Sequence, residues 1–240
     1  MPLTLKTALA LGRVSNLPTV WMNLIAGAAL SCAAIGIDFP FTTIAILLLA
    51  LSCFYAGGMC LNDYCDRHWD SERQPFRPIP AGKVSAQAVL ALTLLLFSSG
   101  LTLITLTPYT SALWTSISLL LLITAYDIFH KRHWLTVILM ASTRTSIYVI
   151  AALATTDSIH ATVLVLGLIQ GAYTLLVTIV ARWENTRAHG FNVPVIPWML
   201  AAMALLDGLA LAILLSPYWL ILGLAMTVLT RWAQRHIRGD

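Results

Sequence analysis

Apolar residues run along this chain in stretches of about twenty, longer than the alternation of a half-buried strand or the one-sided stripe of a soluble helix. Eight runs stand out, at about 15–35, 40–61, 84–106, 110–127, 134–154, 159–181, 195–215 and 217–235. Roughly 20 apolar residues cross the hydrocarbon core of a bilayer. Backbone groups cannot stay unpaired there, so each run is predicted to be a helix. The breaks alternate in kind: Pro40, Pro108, Asp157 and Pro217 mark one set, and polar or charged residues mark the other.

Composition agrees with the pattern. Of 240 residues, 59% are hydrophobic and only 10% charged, against the quarter or so usual in soluble domains; the mean hydropathy is +0.83. The expectation is an all-α integral membrane protein, a bundle of about eight transmembrane helices, with residues 1–240 forming one domain and no internal repeat or linker. Thirteen of the fourteen lysines and arginines fall in the charged set of breaks and at the two ends. The positive-inside rule then puts both termini in the cytoplasm, with a bacterial inner membrane as the expected location. The net charge of +4 is thus the collar of a membrane protein; no basic run with interleaved aromatics suggests nucleic acid. The first run is too long, and too broken by Asn16, Pro18 and Asn23, for a cleaved signal peptide, and is read as a retained helix. Cys32, Cys53, Cys60 and Cys65 lack CxxC or metal spacing and are read as small hydrophobes.

One polar stretch stands apart. LNDYCDRHWDSERQPFRPIPAG, from Leu61 to Gly82, gathers Asp63, Asp66, Asp70 and Glu72, four of the ten acids in the chain, beside Arg67, Arg73 and Arg77. If the second helix continues past Leu61, Asp63, Asp66 and Asp70 fall at i, i+3 and i+7 on one face, with Asn62 a turn before Asp66. Like charges so close repel unless a cation neutralises them. Carboxylates plus an amide are hard oxygen ligands that suit Mg²⁺, and Arg73, Arg77 and Lys83 offer charge for a phosphate. Pro75, Pro78 and Pro80 end the helix and stiffen the loop. The plain alternative is a solvated loop of mixed charge that helps set topology.

Asn62-Asp63-Tyr64-Cys65-Asp66-Arg67-His68-Trp69-Asp70, followed by Arg77-Pro78-Ile79-Pro80-Ala81-Gly82, resembles the first aspartate-rich motif of the UbiA superfamily of intramembrane prenyltransferases. Arg13 with Pro18 and Asn23 is similar to the family's opening, and Tyr126 to Lys131 to its Tyr-x4-Lys segment. The resemblance implies Mg²⁺-dependent transfer of a prenyl group from an isoprenoid diphosphate to an aromatic or other lipophilic acceptor. In that reading Asn62, Asp63, Asp66 and Asp70 hold Mg²⁺, Arg77 and Lys131 hold the leaving group, Arg67 lies among the diphosphate contacts, and Tyr126 and Asp127 border them. The allylic cation then needs a dry, aromatic-lined pocket with a side opening for the lipid tail.

The resemblance departs from the family pattern in two places. A second acidic motif is expected between the sixth and seventh helices, yet Ala181–Gly190 holds a single acid, Glu184, among Arg182, Arg187 and His189. Either Glu184 coordinates one remaining metal while Arg187 takes diphosphate charge, or diphosphate chemistry is reduced. The family also has nine helices where eight are counted here. An intact first motif with an altered second is similar, more weakly, to the subgroup encoded in bacterial ebo operons.

Two ionisable residues lie deep in predicted spans. Arg144 and Asp207 reach similar depths, so they are expected either to pair across helices or to place Arg144 on a cavity floor facing an acceptor carboxylate or diphosphate, with Tyr148 lining the prenyl channel. His130, His133 and His189 are read as interfacial. A transporter or export component would also suit eight helices, and a prenyl-lipid-binding protein without catalysis would keep the same fold.

Overall fold

The computed structural model describes residues 4–185 and 194–237, and all its regular structure there is helical: α1 Leu5–Leu11, α2 Leu17–Ile35, α3 Phe41–Arg73, α4 Ala86–Ile104, α5 Ser111–Phe129, α6 Thr136–Thr156, α7 Ala161–Asn185, α8 Val195–Leu214 and α9 Trp219–His236. Among the described residues seven helices, α2 to α8, are long and apolar enough to cross a membrane. The chain is therefore a multi-pass integral membrane protein. The eighth expected span, α9, forms but falls short on apolarity, because Arg231, Arg235 and His236 occupy its last turns.

Short α1 was not foreseen. It starts where Thr4 accepts a bond from the Thr7 amide at 3.3 Å, a side-chain cap for an orphan donor. It is joined to α2 by Arg13, whose φ of 42° is left-handed, and a single 3₁₀ turn, Val14–Asn16.

α2 is the axis of the bundle. It is the most buried of the spans, and it packs against α3, α6, α7, α8 and α9. Leu24 and Ala28 of α2 meet Leu47 and Phe54 of α3 and Ile150 and Ala151 of α6 in one core. Large apolar side chains on the outer faces, such as Leu94, Leu121, Ile138 and Ile213, are exposed, as lipid-facing positions are.

Small residues set the closest helix approach. A Cβ on Gly208 of α8 would lie 2.6 Å from Cα of Gly223 on α9. Backbones touch there because hydrocarbon offers no hydrophobic drive and close van der Waals packing must supply the attraction.

α3 runs unbroken past the expected end at Leu61 to Arg73, 33 residues in all, or about 50 Å at 1.5 Å per residue. It stops because Gln74 precedes Pro75, and a residue before proline disfavours the helical conformation. That length is what carries the acidic stretch as helix rather than loop.

Candidate active site

Because α3 stays helical, Asp63, Asp66 and Asp70 do share a face, and that face turns inward: the three are 5%, 5% and 1% exposed. Buried carboxylates this close require cations, and the neighbouring elements bring them. Arg77 arrives from the loop after α3. Its Nη1 donates to Asp63 Oδ1 and to Asp70 Oδ2, both at 3.1 Å, while its Nε donates to Gln74 Oε1 at 2.7 Å. The loop that presents it closes with Ala81 N donating to Arg77 O and turns at Gly82, whose φ of 68° only glycine adopts freely.

Arg13 arrives from the α1–α2 junction, its Nη2 donating to Asp63 Oδ1 at 3.3 Å and Asn62 Oδ1 at 3.4 Å. The end of α5 supplies the third set: Lys131 Nζ lies 3.2 Å from Asp66 Oδ2, and His130 Nε2 lies 3.3 Å from the same oxygen. Asn62 Nδ2 donates to Asp127 Oδ1 at 3.2 Å, so α3 and α5 are tied at this level, and Lys131 meets Asp66 rather than Asp127.

Beneath the cluster lies a cavity of about 150 Å³ between α2, α3, α5 and α6. Arg13, Asn62, Tyr126 and Asp127 border it where it meets the acids. Val20, Leu51, Phe54 and Ile147 line it further in, and Arg144 stands on the same wall. One end is polar and charged, the other apolar.

The donor set suits a hard cation such as Mg²⁺. Besides the paired oxygens, Asp70 Oδ1 and Asp127 Oδ2 are buried with no hydrogen-bond partner, and a buried unpaired oxygen is costly unless something meets it. No three acidic, histidine or cysteine side chains converge on one point among the described residues. Mg²⁺ commonly takes one or two carboxylates and completes its octahedron with water and phosphate oxygens, so the residues present fit that ion.

Three expected residues, Arg67, Arg73 and Tyr148, make other contacts. Arg67 folds back on its own helix, donating to Tyr64 O at 2.7 Å with its guanidinium over the Tyr64 ring. Arg73 stacks 3.8 Å over Trp69, and Lys83 is exposed. Glu184 is half-buried in the last turn of α7, and Arg187 and His189 lie outside the described residues. Tyr148 does not border the cavity; it is fully buried, its hydroxyl donating to Asp207 Oδ1 at 2.5 Å.

Arg144 and Asp207 are not in direct contact. Arg144 Nη1 donates to Asn23 Oδ1 at 2.9 Å, and Asn23 Nδ2 donates to Asp207 Oδ2 at 2.6 Å and to Tyr148 Oη at 2.9 Å. Gln170 Nε2 adds a bond to Asp207 Oδ1 at 3.0 Å. The amide stands between the two charges, because α2 runs between α6 and α8.

Sequence reasoning passed over two residues of the cluster. Arg13 drew notice only as part of the family's opening, since nothing local shows that the α1–α2 junction folds onto α3. His130 had a usable signal: it is the neighbour of Lys131 and one turn from Tyr126, on whose ring it stacks at 5.0 Å.

Residues 19–238 match the UbiA prenyltransferase family. Over 105 residues the chain is 34% identical to the 4-hydroxybenzoate octaprenyltransferase of Pectobacterium carotovorum subsp. carotovorum, covering 42% of this chain and 33% of that protein. Over 104 residues it is 32% identical to the digeranylgeranylglyceryl phosphate synthase of Methanococcoides burtonii, covering 41% and 37%. The alignments thus span about a third of these curated relatives' length. A solved chain from a study of digeranylgeranylglyceryl phosphate synthase in membranes superposes with a TM-score of 0.63 over 97% of this chain and 86% of its own, at 20% identity, a likeness of fold.

Proposed function

This chain belongs to the UbiA prenyltransferase family, and we propose that it transfers a prenyl group from an isoprenoid diphosphate to a lipophilic or aromatic acceptor within the membrane, as one 240-residue catalytic unit. One observation carries the reading: Arg13, Asn62 and Asp127, which are bonded to one another and through Arg13 to Asp63 of the acidic face of α3, border the polar end of a cavity whose inner wall is apolar. A diphosphate fits the first and a prenyl chain the second.

In the reaction the bond between the prenyl C1 and the diphosphate oxygen breaks, its electron pair leaving with pyrophosphate. The acceptor then forms a bond to C1 and loses a proton. One or two of the carboxylates Asp63, Asp66, Asp70 and Asp127, with Asn62 beside them, would hold Mg²⁺, which when bound would neutralise diphosphate charge and polarise the breaking bond. Arg13, Arg77 and Lys131 stand against the same acids, where they can turn to the phosphate oxygens and stabilise the charge that builds on leaving. Tyr126 and Phe54 present aromatic rings to the cavity, a surface that tolerates an allylic cation while the apolar wall keeps water from it. The positive-inside pattern supports a cytoplasmic opening for this end of the cavity, with a bacterial inner membrane as its location.

The test is Mg²⁺-dependent pyrophosphate release from geranyl, farnesyl and geranylgeranyl diphosphate by the purified protein in nanodiscs. Asp63→Asn and Asp66→Asn should each remove release while thermal unfolding stays close to that of the parent. Unchanged turnover in both variants would overturn the assignment. Binding of a diphosphate without release, across a range of acceptors, would point instead to a lipid-binding role.

A further inference from the structure

The cavity beneath the acidic face is closed at its inner end. Along α3 its lining runs from Asn62 at the polar end to Phe54 and Leu51, about 12 Å and 16 Å further in at 1.5 Å per residue. The wall there is Val20, Leu51, Phe54, Leu119 and Ile147. The same side chains belong to the packed core that continues with Leu24, Leu47 and Ile150. A close-packed interior has few voids larger than a water molecule, so a chain entering from the polar end stops at this layer.

Phe54 is the member of that layer least able to step aside. A Cβ on Gly100 of α4 would lie 2.4 Å from Phe54 Cε1 and 2.7 Å from its Cδ1, so one edge of the ring rests on the bare backbone of α4. The arrangement is reciprocal: a Cβ on Gly57, a turn along α3, would lie 2.6 Å from the ring of Phe97 on α4. Ring over glycine in both directions locks the two helices together, as small residues allow in lipid. Phe54 is 1% exposed and stands between α4 and the cavity. Gly58 shuts the wall between α3 and α5 at mid-height, since a Cβ there would lie 3.1 Å from Ile123 Cγ2. Volume sets the same limit. About 150 Å³ is the size of an apolar cavity that holds a benzene ring, which has about as many carbons as one isoprene unit.

We infer that the donor is a short prenyl diphosphate, of one or two isoprene units, and that Phe54, pinned by Gly100, sets the limit. This rests on the prenyl-transfer reading above and adds the length of the donor to it. The reaction is unchanged: the bond from C1 to the diphosphate oxygen breaks, pyrophosphate takes the electron pair, and only the chain behind C1 is specified. With the diphosphate among Arg13, Arg77 and Lys131, the first unit fills the cavity and the second reaches Phe54. A third has to displace the ring or the core beneath it.

Calorimetric titration of the full chain in nanodiscs, read against empty nanodiscs, tests this with Mg²⁺ and dimethylallyl, geranyl, farnesyl and geranylgeranyl diphosphate. A hydrophobic pocket separates ligands that differ by one methylene by roughly ten- to two-hundredfold. Geranylgeranyl diphosphate should therefore bind at least about tenfold more weakly than geranyl diphosphate. Phe54→Ala should close that gap and Phe54→Leu should narrow it. Gly100→Ala should act in the opposite sense: its methyl group drives the Phe54 ring toward the cavity and weakens geranyl relative to dimethylallyl diphosphate by roughly three- to tenfold. A merely structural role for either residue would lower stability without moving these ratios. The inference is overturned if the parent protein binds geranylgeranyl as tightly as geranyl diphosphate, or if the gap survives in the Phe54 variants. An unchanged ratio in Gly100→Ala overturns the pinning of the ring. Should Phe54→Ala not fold, Phe54→Leu and the donor series in the parent decide. Failure of the prenyl-transfer reading looks different: none of the four donors, dimethylallyl diphosphate included, would show Mg²⁺-dependent binding.

Discussion

Arg77 does more in this site than any other single side chain, because one nitrogen spans two acids a full two turns apart on α3. Removing it leaves Asp63 and Asp70, 5% and 1% exposed, facing each other with Arg13 as the remaining partner of Asp63. Arg77→Ala should therefore weaken isoprenoid diphosphate binding by roughly ten- to hundredfold, the range of one charge-assisted contact. The same variant should gain more thermal stability from added Mg²⁺ than the parent does, because the ion then supplies the charge the arginine had supplied. A Mg²⁺ titration followed by unfolding reads both effects; an identical Mg²⁺ response in the two proteins would argue against a cation site among these carboxylates. Arg13 holds its place at a conformational cost, its left-handed backbone being roughly 1–2 kcal/mol less favourable than a right-handed one. The two bonds from its side chain to Asn62 and Asp63 offset that cost.

Among the elements, α3 and the α8–α9 pair show opposite solutions to the same problem of joining helices in lipid. α3 needs length, since its inner turns pack in the core while its last turns must carry the acids. α8 and α9 need proximity, and Gly208 against Gly223 provides it. Gly208→Ala places a methyl group 2.6 Å from backbone rather than from a side chain that could move. The helices must separate, at about 1–3 kcal/mol, the usual cost of overpacking. The expected outcome is a lower unfolding midpoint with diphosphate binding retained, since neither glycine borders the cavity.

For the whole molecule, the unit that joins the halves of the chain is the buried polar network. Asn23 of α2, Arg144 and Tyr148 of α6, Gln170 of α7 and Asp207 of α8 share hydrogen bonds around the axis of the bundle. Within membranes such bonds average about 0.6 kcal/mol each. Asn23→Leu removes three of them, so it should cost about 2 kcal/mol, with a further penalty for leaving Arg144 and Asp207 without their bridge. Unfolding in mixed micelles measures this. A loss no greater than that of a surface substitution would mean that water takes the place of the amide.

What the residues alone determined was everything local. Runs of about twenty apolar residues demand helices in lipid whatever surrounds them, and the i, i+3, i+7 spacing of Asp63, Asp66 and Asp70 puts them on one face of any helix that contains them. The membrane class, the run of spans and the acidic face were legible for that reason, and so was the family. The tertiary structure decided which way each helix turned about its own axis. A span that is apolar all round carries no stripe to say which side faces inward, so spacing did not distinguish Arg77, which reaches the acids, from Arg67 and Arg73, which fold back on Tyr64 and Trp69; only the family resemblance singled Arg77 out. The same holds for Tyr148, which turns to Asp207 instead of the cavity, and for Asn23, which comes between two charges that depth alone would have paired. Its partners lie 121 and 184 positions along the chain, and only the packing of α2 among its neighbours brings them to it.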